Sequence, residues 1–251
     1  MPSVLDIAFA VLFSVVIATI GGAYFDRRFK RQAANGVPDA RRNWYRLTLI
    51  GEWALAAVTL ALWFRERRDW RPLGLVPPTD WRLYLGVALA AIVTAMLLRQ
   101  NVKIRALSPD DLHRLTPKFT DVEFIIPRSP REYRWFQALS VTAGVCEELL
   151  YRGFLTWVVA AYVGTWAALF IVAVMFGLGH AYQGPTGILK TGVVGLVLGC
   201  IVLASGWLIP AMIIHAMIDS ASGIAGYAVL GQATRHLAPE HGIIDLPTSS
   251  P

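Results

Sequence analysis

The chain has 251 residues, of which 55% are hydrophobic and 16% are charged, and its mean hydropathy is +0.50. Because soluble globular domains carry about 25% charged residues, this composition excludes an ordinary soluble domain and indicates a polytopic membrane protein. The net charge of +6 does not indicate nucleic-acid binding, since the basic residues flank apolar runs, where they usually set membrane topology.

Seven apolar runs have the length of a membrane helix, about 17–27 residues, which suffices to cross a hydrocarbon core of about 30 Å. They lie at 7–25, 44–64, 82–98, 135–161, 164–182, 187–206 and 208–230. We therefore predict an all-α, multi-pass bundle of about seven transmembrane helices in the cell membrane, with room for an eighth helix in the segment 99–134.

The polar residues divide this bundle into three parts. Residues 1–134 hold most of the charge, in basic loops between N-terminal transmembrane helices. Residues 135–230 form a more apolar part whose few titratable residues fall mostly into three clusters, and we interpret this part as a catalytic core. Residues 231–251 are predicted to be a flexible C-terminal tail.

The first cluster is Glu147, Glu148 and Arg152, within an apolar run. Ionised side chains at membrane depth cost several kcal/mol, about 3 each on insertion scales, so they persist when paired or useful. Glu148 and Arg152 share a helix face at i,i+4 and can form an ion pair. A structural ion pair leaves Glu147 unexplained, because its side chain points about 100° away around the helix. Glu147 is therefore a candidate general base.

The second and third clusters each place a histidine four residues from a partner. Phe176 and His180 share a helix face, next to glycines that permit close helix packing. His215 and Asp219 share another face, where the carboxylate can orient the imidazole. A satisfied histidine in the helix interface is the structural alternative for each, but such groups are costly within an apolar run, which favours a functional site.

Two further features have open interpretations. Glu52 is an acidic residue in the second apolar run with no obvious partner nearby in the sequence, so it either pairs with an arginine or lines a substrate path. Gly195 and Gly199 form a small-xxx-small pattern that predicts helix packing.

The three clusters, in this order on successive helices, resemble the CAAX protease and bacteriocin-processing family, whose best-known members are the type II CAAX prenyl endopeptidases. Glu147, Glu148 and Arg152 correspond to the EExxxR motif, Phe176 and His180 to FxxxH, and His215 and Asp219 to HxxxN/D. The resemblance covers residues 135–226, with a fainter similarity at residues 71–75. Prenyl endopeptidases usually have Asn at the position of Asp219.

This resemblance implies a glutamate-dependent intramembrane endopeptidase that needs no cofactor or metal. Glu147 and His180 are then expected to activate a water molecule, and His215 and Asp219 to stabilise the oxyanion. Glu148, Arg152 and Phe176 are expected to support the site. The expected partners are a membrane-anchored protein or peptide substrate and the lipid bilayer, with no nucleic acid.

Two other functions remain open from the sequence. A zinc-dependent membrane protease is one, because zinc accepts His and carboxylate ligands; the four candidate catalytic residues, however, show no HExxH spacing. The other is a non-catalytic membrane scaffold or immunity protein, which gains nothing from an unpaired Glu147. A proton-coupled transporter is less favoured because no inverted repeat is visible.

Overall fold

The computed structural model describes residues 1–237, with side chains as far as Leu230, and this part of the chain consists of eight helices without a strand. They are α1 (Val4–Ala34), α2 (Ala40–Arg65), α3 (Trp81–Arg105), α4 (Pro109–Leu115), α5 (Pro130–Glu147, Glu148–Leu155 and Thr156–Val163 in succession), α6 (Thr165–Gly179), α7 (Ala181–Ser205) and α8 (Leu208–Leu237). Of the predicted tail, residues 238–251 lie outside the described residues.

The predicted all-α membrane bundle is confirmed, and each of the seven apolar runs corresponds to one helix, although the run 164–182 extends past the end of α6 at Gly179. Five helices are long and apolar enough to span a membrane: α1, α2, α3, α7 and α8. The other two runs correspond to α5, which carries the charged EExxxR motif, and to α6, which is shorter. The additional helix lies in segment 99–134, as α4, and a 3₁₀ turn at Thr116–Val122 follows it.

Helix α5 lies at the centre of the bundle, and α2 and α8 both pack along it. Close approach of α8 depends on Gly144, where a Cβ atom would lie 2.7 Å from the Met212 carbonyl oxygen and 2.8 Å from Ala216. The chain turns back at Gly164, whose φ of +79° favours glycine, and α6 then returns beside α5.

Helix α8 begins inside the bundle. Its first residue, Leu208, is fully buried and donates its backbone N–H to the Gly74 carbonyl oxygen at 2.9 Å. Leu73 is also fully buried and lies against Gly153 of α5. The segment around residues 71–75 therefore satisfies the start of α8 at depth, which brings His215 level with the middle of α5.

The loop before α5 forms a strap between α2 and α8. Tyr45 of α2 donates its hydroxyl to the Ile125 carbonyl oxygen at 2.5 Å. The next residue, Ile126, packs beneath Gly226 of α8, where a Cβ atom would lie 2.7 Å from its Cδ1. The N-terminal part also shares a hydrophobic cluster with the predicted catalytic core, in which Phe13 and Trp63 pack with Leu150. Both predicted parts therefore contribute to one bundle.

Candidate active site

The EExxxR motif lies where α5 changes its helical form. The residues from Glu148 to Leu155 are π-helical, and the Thr156 hydroxyl donates to the Tyr151 carbonyl oxygen at 2.8 Å. Short π-helical segments occur frequently at functional sites because they displace side chains from the ordinary helical positions. Here the change begins directly after Glu147.

Glu148 connects two helices through a single carboxylate oxygen. Its Oε1 accepts a hydrogen bond from Arg152 Nη1 at 2.8 Å and lies 2.8 Å from Nδ1 of His215 on α8. The side chain of Glu148 is 0% exposed and that of Arg152 is 2% exposed. The predicted Glu148–Arg152 pair is therefore present, and the same carboxylate orients His215.

The partner that orients His215 differs from the predicted one. The sequence predicted that Asp219 orients this ring, but Asp219 Oδ2 lies 3.6 Å from His215 Nε2, beyond ordinary hydrogen-bond distance, whereas Nδ1 contacts Glu148. The reason is the depth at which α8 starts, since this brings Nδ1 against Glu148. Asp219 instead lies beside the ring nitrogen that faces Glu147.

The ring of His180 is held by contacts with Phe176, in the last turn of α6. Its Nδ1 lies 2.8 Å from the Phe176 carbonyl oxygen, and its ring packs on the Phe176 ring with centroids 4.6 Å apart. A carbonyl oxygen only accepts hydrogen bonds, so Nδ1 carries the hydrogen in this contact. The predicted pairing of Phe176 with His180 thus acts through both the ring and the backbone.

The two histidines and Glu147 converge on one point. Glu147 Oε2 lies 4.0 Å from His180 Nε2 and 3.8 Å from His215 Nε2. This oxygen is buried and has no hydrogen-bond partner within the described residues. Glu147 and His180 are 18% and 16% exposed, and Asp219 is 37% exposed. The structure therefore brings the four predicted catalytic residues together, with Asp219 on the accessible side.

Comparison with protein families agrees with this arrangement. Residues 130–221 match the family model described as type II CAAX prenyl endopeptidase Rce1-like. The match covers 92 of the 251 residues, so it shows a similarity of this part of the chain to the family. Members of that family are membrane-embedded proteases. Searches of curated proteins and of solved structures gave no significant match.

Phe176 forms one wall of the candidate site. Its ring lies 4.0 Å below the Arg152 guanidinium, and the ring centroids of Phe176 and His215 are 5.8 Å apart. A cation over an aromatic face is stabilised by the ring quadrupole. Phe176 therefore holds Arg152 as well as the two histidines, which explains its place in the motif.

Gly195 makes room for this wall. A Cβ atom at Gly195 would lie 2.9 Å from Arg152 Nη2 and 3.0 Å from Phe176 Cδ1. The small-xxx-small pattern predicted helix packing, but it gave no sign that one of its glycines contacts the site. The second glycine, Gly199, faces Leu169 instead.

The sequence left the role of Glu52 open, and the structure places it beside the candidate site. It interacts electrostatically with Glu147 and Asp219. Next to it on α2, Trp53 Nε1 donates to Thr142 Oγ1 of α5 at 3.2 Å, which fixes α2 against α5 at this level. No ion pair joins Glu52 to an arginine within the described residues, so the pairing alternative finds no support there.

The four candidate catalytic residues were also the possible zinc ligands. Within residues 1–237, no group of three or more His, Cys, Asp or Glu side chains is arranged to hold a metal ion. Ligands of a tetrahedral zinc, at about 2.0–2.1 Å from the ion, lie about 3.3 Å apart. The separations from Glu147 Oε2 to the two Nε2 atoms are 4.0 and 3.8 Å, which suits a bridging water better. The expectation of a metal-free site stays a prediction.

Proposed function

We propose that the chain is a glutamate-dependent intramembrane endopeptidase in which Glu147 is the general base for direct attack by water. The convergence of Glu147 Oε2 with Nε2 of His180 and Nε2 of His215, at 4.0 and 3.8 Å, carries this proposal. Two atoms 4.0 Å apart can each lie about 2.8 Å from one water between them.

The hydrogen bonds at the opposite ring nitrogens determine what the histidines offer to that water. His180 Nδ1 donates to the Phe176 carbonyl oxygen, and His215 Nδ1 donates to Glu148, which also accepts from Arg152. A neutral imidazole has one donor and one acceptor nitrogen. In the neutral form, each histidine therefore presents an acceptor at Nε2, toward Glu147.

The reaction follows from these positions. Glu147 and His180 each accept one hydrogen of the water, and Glu147 takes the proton as the water oxygen attacks the carbonyl carbon. The proton on Glu147 then passes to the nitrogen of the leaving amine as the C–N bond breaks. The products are one new carboxyl terminus and one new amino terminus, without a covalent enzyme intermediate.

His215 serves the developing oxyanion. When its ring carries both protons, Nδ1 remains bonded to Glu148 and the Nε2–H group is directed into the site, between Glu147 and Asp219. A donor fixed before the reaction stabilises charge that develops in the transition state. Asp219, on the accessible side, assists as a donor only when protonated, since an ionised carboxylate only accepts.

The surroundings of the site indicate the substrate class. The catalytic residues lie on helices of a membrane bundle, so the proposed substrate is a membrane-anchored protein or peptide in the cell membrane. A substrate backbone at membrane depth needs partners for its N–H and C=O groups. The polar groups of the site supply such partners.

The test compares cells that express the wild-type chain with cells that express Glu147→Gln at equal abundance. Protein termini in the membrane fraction are identified by mass spectrometry. We expect new carboxyl and amino termini only with the wild type, and a peptide spanning the cleavage site should be cut by the purified wild type. Identical termini in both samples would favour a non-catalytic scaffold, and full cleavage by Glu147→Gln would remove Glu147 as the base.

A further inference from the structure

Glu52 lies on the face of α2 that points into the bundle. Tyr45, Ala56 and Trp63 are buried on the same helix, seven residues before and four and eleven residues after Glu52. These spacings correspond to whole helical turns, so all four residues share one face. Tyr45 belongs to one hydrophobic cluster and Ala56 to another. Glu52 therefore interrupts an apolar face between two clusters.

Glu52 lies at the same level of the bundle as the proposed active site. Glu52 interacts electrostatically with Glu147 and Asp219, and also with Cys146, which precedes the EExxxR motif, and with Tyr151 inside it. These residues belong to α5 and α8. Glu52 thus adds a carboxylate from a third helix to the same centre.

The packing of the helices places these carboxylates around α5. Helices α2 and α8 both pack along α5, but they do not pack extensively on each other. Glu52 is on α2, Asp219 is on α8, and Glu147 is on α5 between those two helices. The strap at Ile125 and Ile126 also connects α2 with α8.

Within residues 1–230, neither Glu52 nor Asp219 has a lysine or arginine partner, although His215 lies beside Glu147 and Asp219. Arg152 is bonded to Glu148. The Oε2 atom of Glu52 is buried and has no hydrogen-bond partner within residues 1–230. A buried acceptor without a partner costs stability unless a bound group satisfies it. A bound group with a positively charged donor would satisfy this acceptor.

We propose that Glu52 is a specificity-determining residue that binds a lysine or arginine side chain of the substrate close to the cleaved bond. This inference rests on the proposed function, because it assigns the substrate preference of that site. A cationic side chain satisfies the free oxygen of Glu52 and offsets the repulsion among Glu52, Glu147 and Asp219. Charge-assisted hydrogen bonds are stronger than neutral ones, so the preference favours a cation over an amide.

The test uses the full-length enzyme in phosphatidylcholine vesicles, since an uncharged surface does not enrich basic peptides. The probes are peptides that span the cleavage site found with the wild type. In them, each of the three residues on either side of the cleaved bond is replaced in turn by Lys, Gln or Glu. At one of these positions, we expect kcat/KM of the wild type to be about tenfold higher for Lys than for Gln, and lower still for Glu.

Two substitutions of Glu52 then test whether Glu52 causes this preference for Lys over Gln. Glu52→Gln should remove the difference between the Lys and Gln peptides, mainly through KM, because the contact is made in the bound substrate as well as in the transition state. Glu52→Lys should reverse the order, so that the Glu peptide becomes the better substrate. If Glu52→Lys does not fold, the loss of preference in Glu52→Gln decides.

The matched control is Glu66→Gln, the same change at the exposed C-terminal end of the same helix. It should keep the wild-type preference. An active enzyme whose preference is absent, or is unchanged in Glu52→Gln, overturns this inference and leaves the peptidase intact. A wild-type chain that produces no new termini and cuts no peptide overturns the proposed function, and this inference with it.

Discussion

The Asp6–Arg68 pair and the Glu148–Arg152 pair are both buried, but their polar atoms are satisfied to different degrees. Both oxygens of Asp6 accept from Arg68, at 3.0 and 2.6 Å, and Oδ2 also accepts from the backbone N–H and hydroxyl of Ser3. At the active site, Oε2 of Glu148 and Nη2 of Arg152 have no partner within the described residues, and neither does Oε2 of Glu147.

This difference distinguishes a structural ion pair from the proposed functional centre. Buried polar groups in proteins are nearly always hydrogen bonded, and those that are not need a specific reason. The Asp6–Arg68 pair fastens the start of α1 to the loop after α2, and its bonds are complete. The candidate active site keeps polar atoms without partners, which in the proposed mechanism bind substrate and water, at a cost in stability. The contrast predicts opposite responses to substitution at the two places.

The largest effect on activity is expected for Glu147→Gln. The amide has nearly the same shape but cannot accept the proton of the attacking water, so kcat/KM should fall by about 10²–10⁴-fold, the usual contribution of a general base. Thermal stability of the purified protein should not fall, because Oε2 of Glu147 makes no hydrogen bond within the described residues. Kinetics on the identified peptide and a melting curve in detergent check both parts.

Glu148→Ala is the companion to this substitution. It removes the partner of Arg152 and His215, and breaking a buried pair costs about 3–5 kcal/mol. Both the yield of folded protein and the activity should therefore fall. A Glu148→Ala protein with wild-type stability and no activity would show that Glu148 is not a structural partner and would assign it a direct catalytic role.

A smaller effect, confined to stability, is expected for Asp6→Asn. The change removes the charge that Arg68 pairs with, and the Asp6 side chain is 0% exposed, so the free energy of unfolding should fall by about 3 kcal/mol. For a chain of this size, that corresponds to a Tm lower by about 6–12 °C. The folded fraction should keep the wild-type kcat/KM. A large loss of activity per folded molecule would contradict the separation of the two regions.

The sequence predicted residues that the structure brings together, but it did not predict all their contacts. The i,i+4 spacing within single helices correctly paired Glu148 with Arg152 and placed Phe176 beside His180. The hydrogen bond between Glu148 on α5 and His215 on α8 joins residues that are 67 positions apart in the chain. No spacing within a single helix predicts such a contact. It depends on how α8 is positioned against α5, which is a property of the packed bundle.

The positions of the helices along the membrane normal were the second feature that the sequence did not predict. Counting along straight spanning helices separates His180, at the end of α6, from His215, near the start of α8. The structure removes this separation because α6 is short and because Gly74 and Leu73 support the start of α8 within the bundle. The π-helical segment after Glu147 was also not foreseen, since no residue type marks it in the sequence. The fold class needed only apolar run lengths, which explains why it was predictable.

A moderate effect is expected for Gly195→Ala, which tests how tightly the functional centre is packed. The new methyl group would press on Arg152 and Phe176, so kcat should fall about tenfold, less than the roughly 10²-fold that a 1 Å displacement can cause. Gly199→Ala is the matched control on the same helix, because its methyl group would meet only the end of the Leu169 side chain, at 2.9 Å. Equal losses of activity in the two variants would contradict a specific contact with the site.

The smallest effect is expected from metal removal. In the proposed mechanism, Glu147 and the two histidines position the water, so no metal ion is needed. Treatment of the purified enzyme with a strong chelator should leave kcat/KM unchanged, and metal analysis should find far less than one ion per active chain. A zinc-dependent site predicts the opposite: about one zinc per chain, loss of cleavage on chelation, and recovery when zinc is returned.

Adding zinc to the untreated enzyme extends the test. Zinc bound between His180 Nε2 and the Glu147 carboxylate would displace the water and inhibit cleavage. Inhibition by added zinc with full activity after chelation therefore supports Glu147 as the base, whereas activation by zinc would replace that mechanism and leave the peptidase assignment in place.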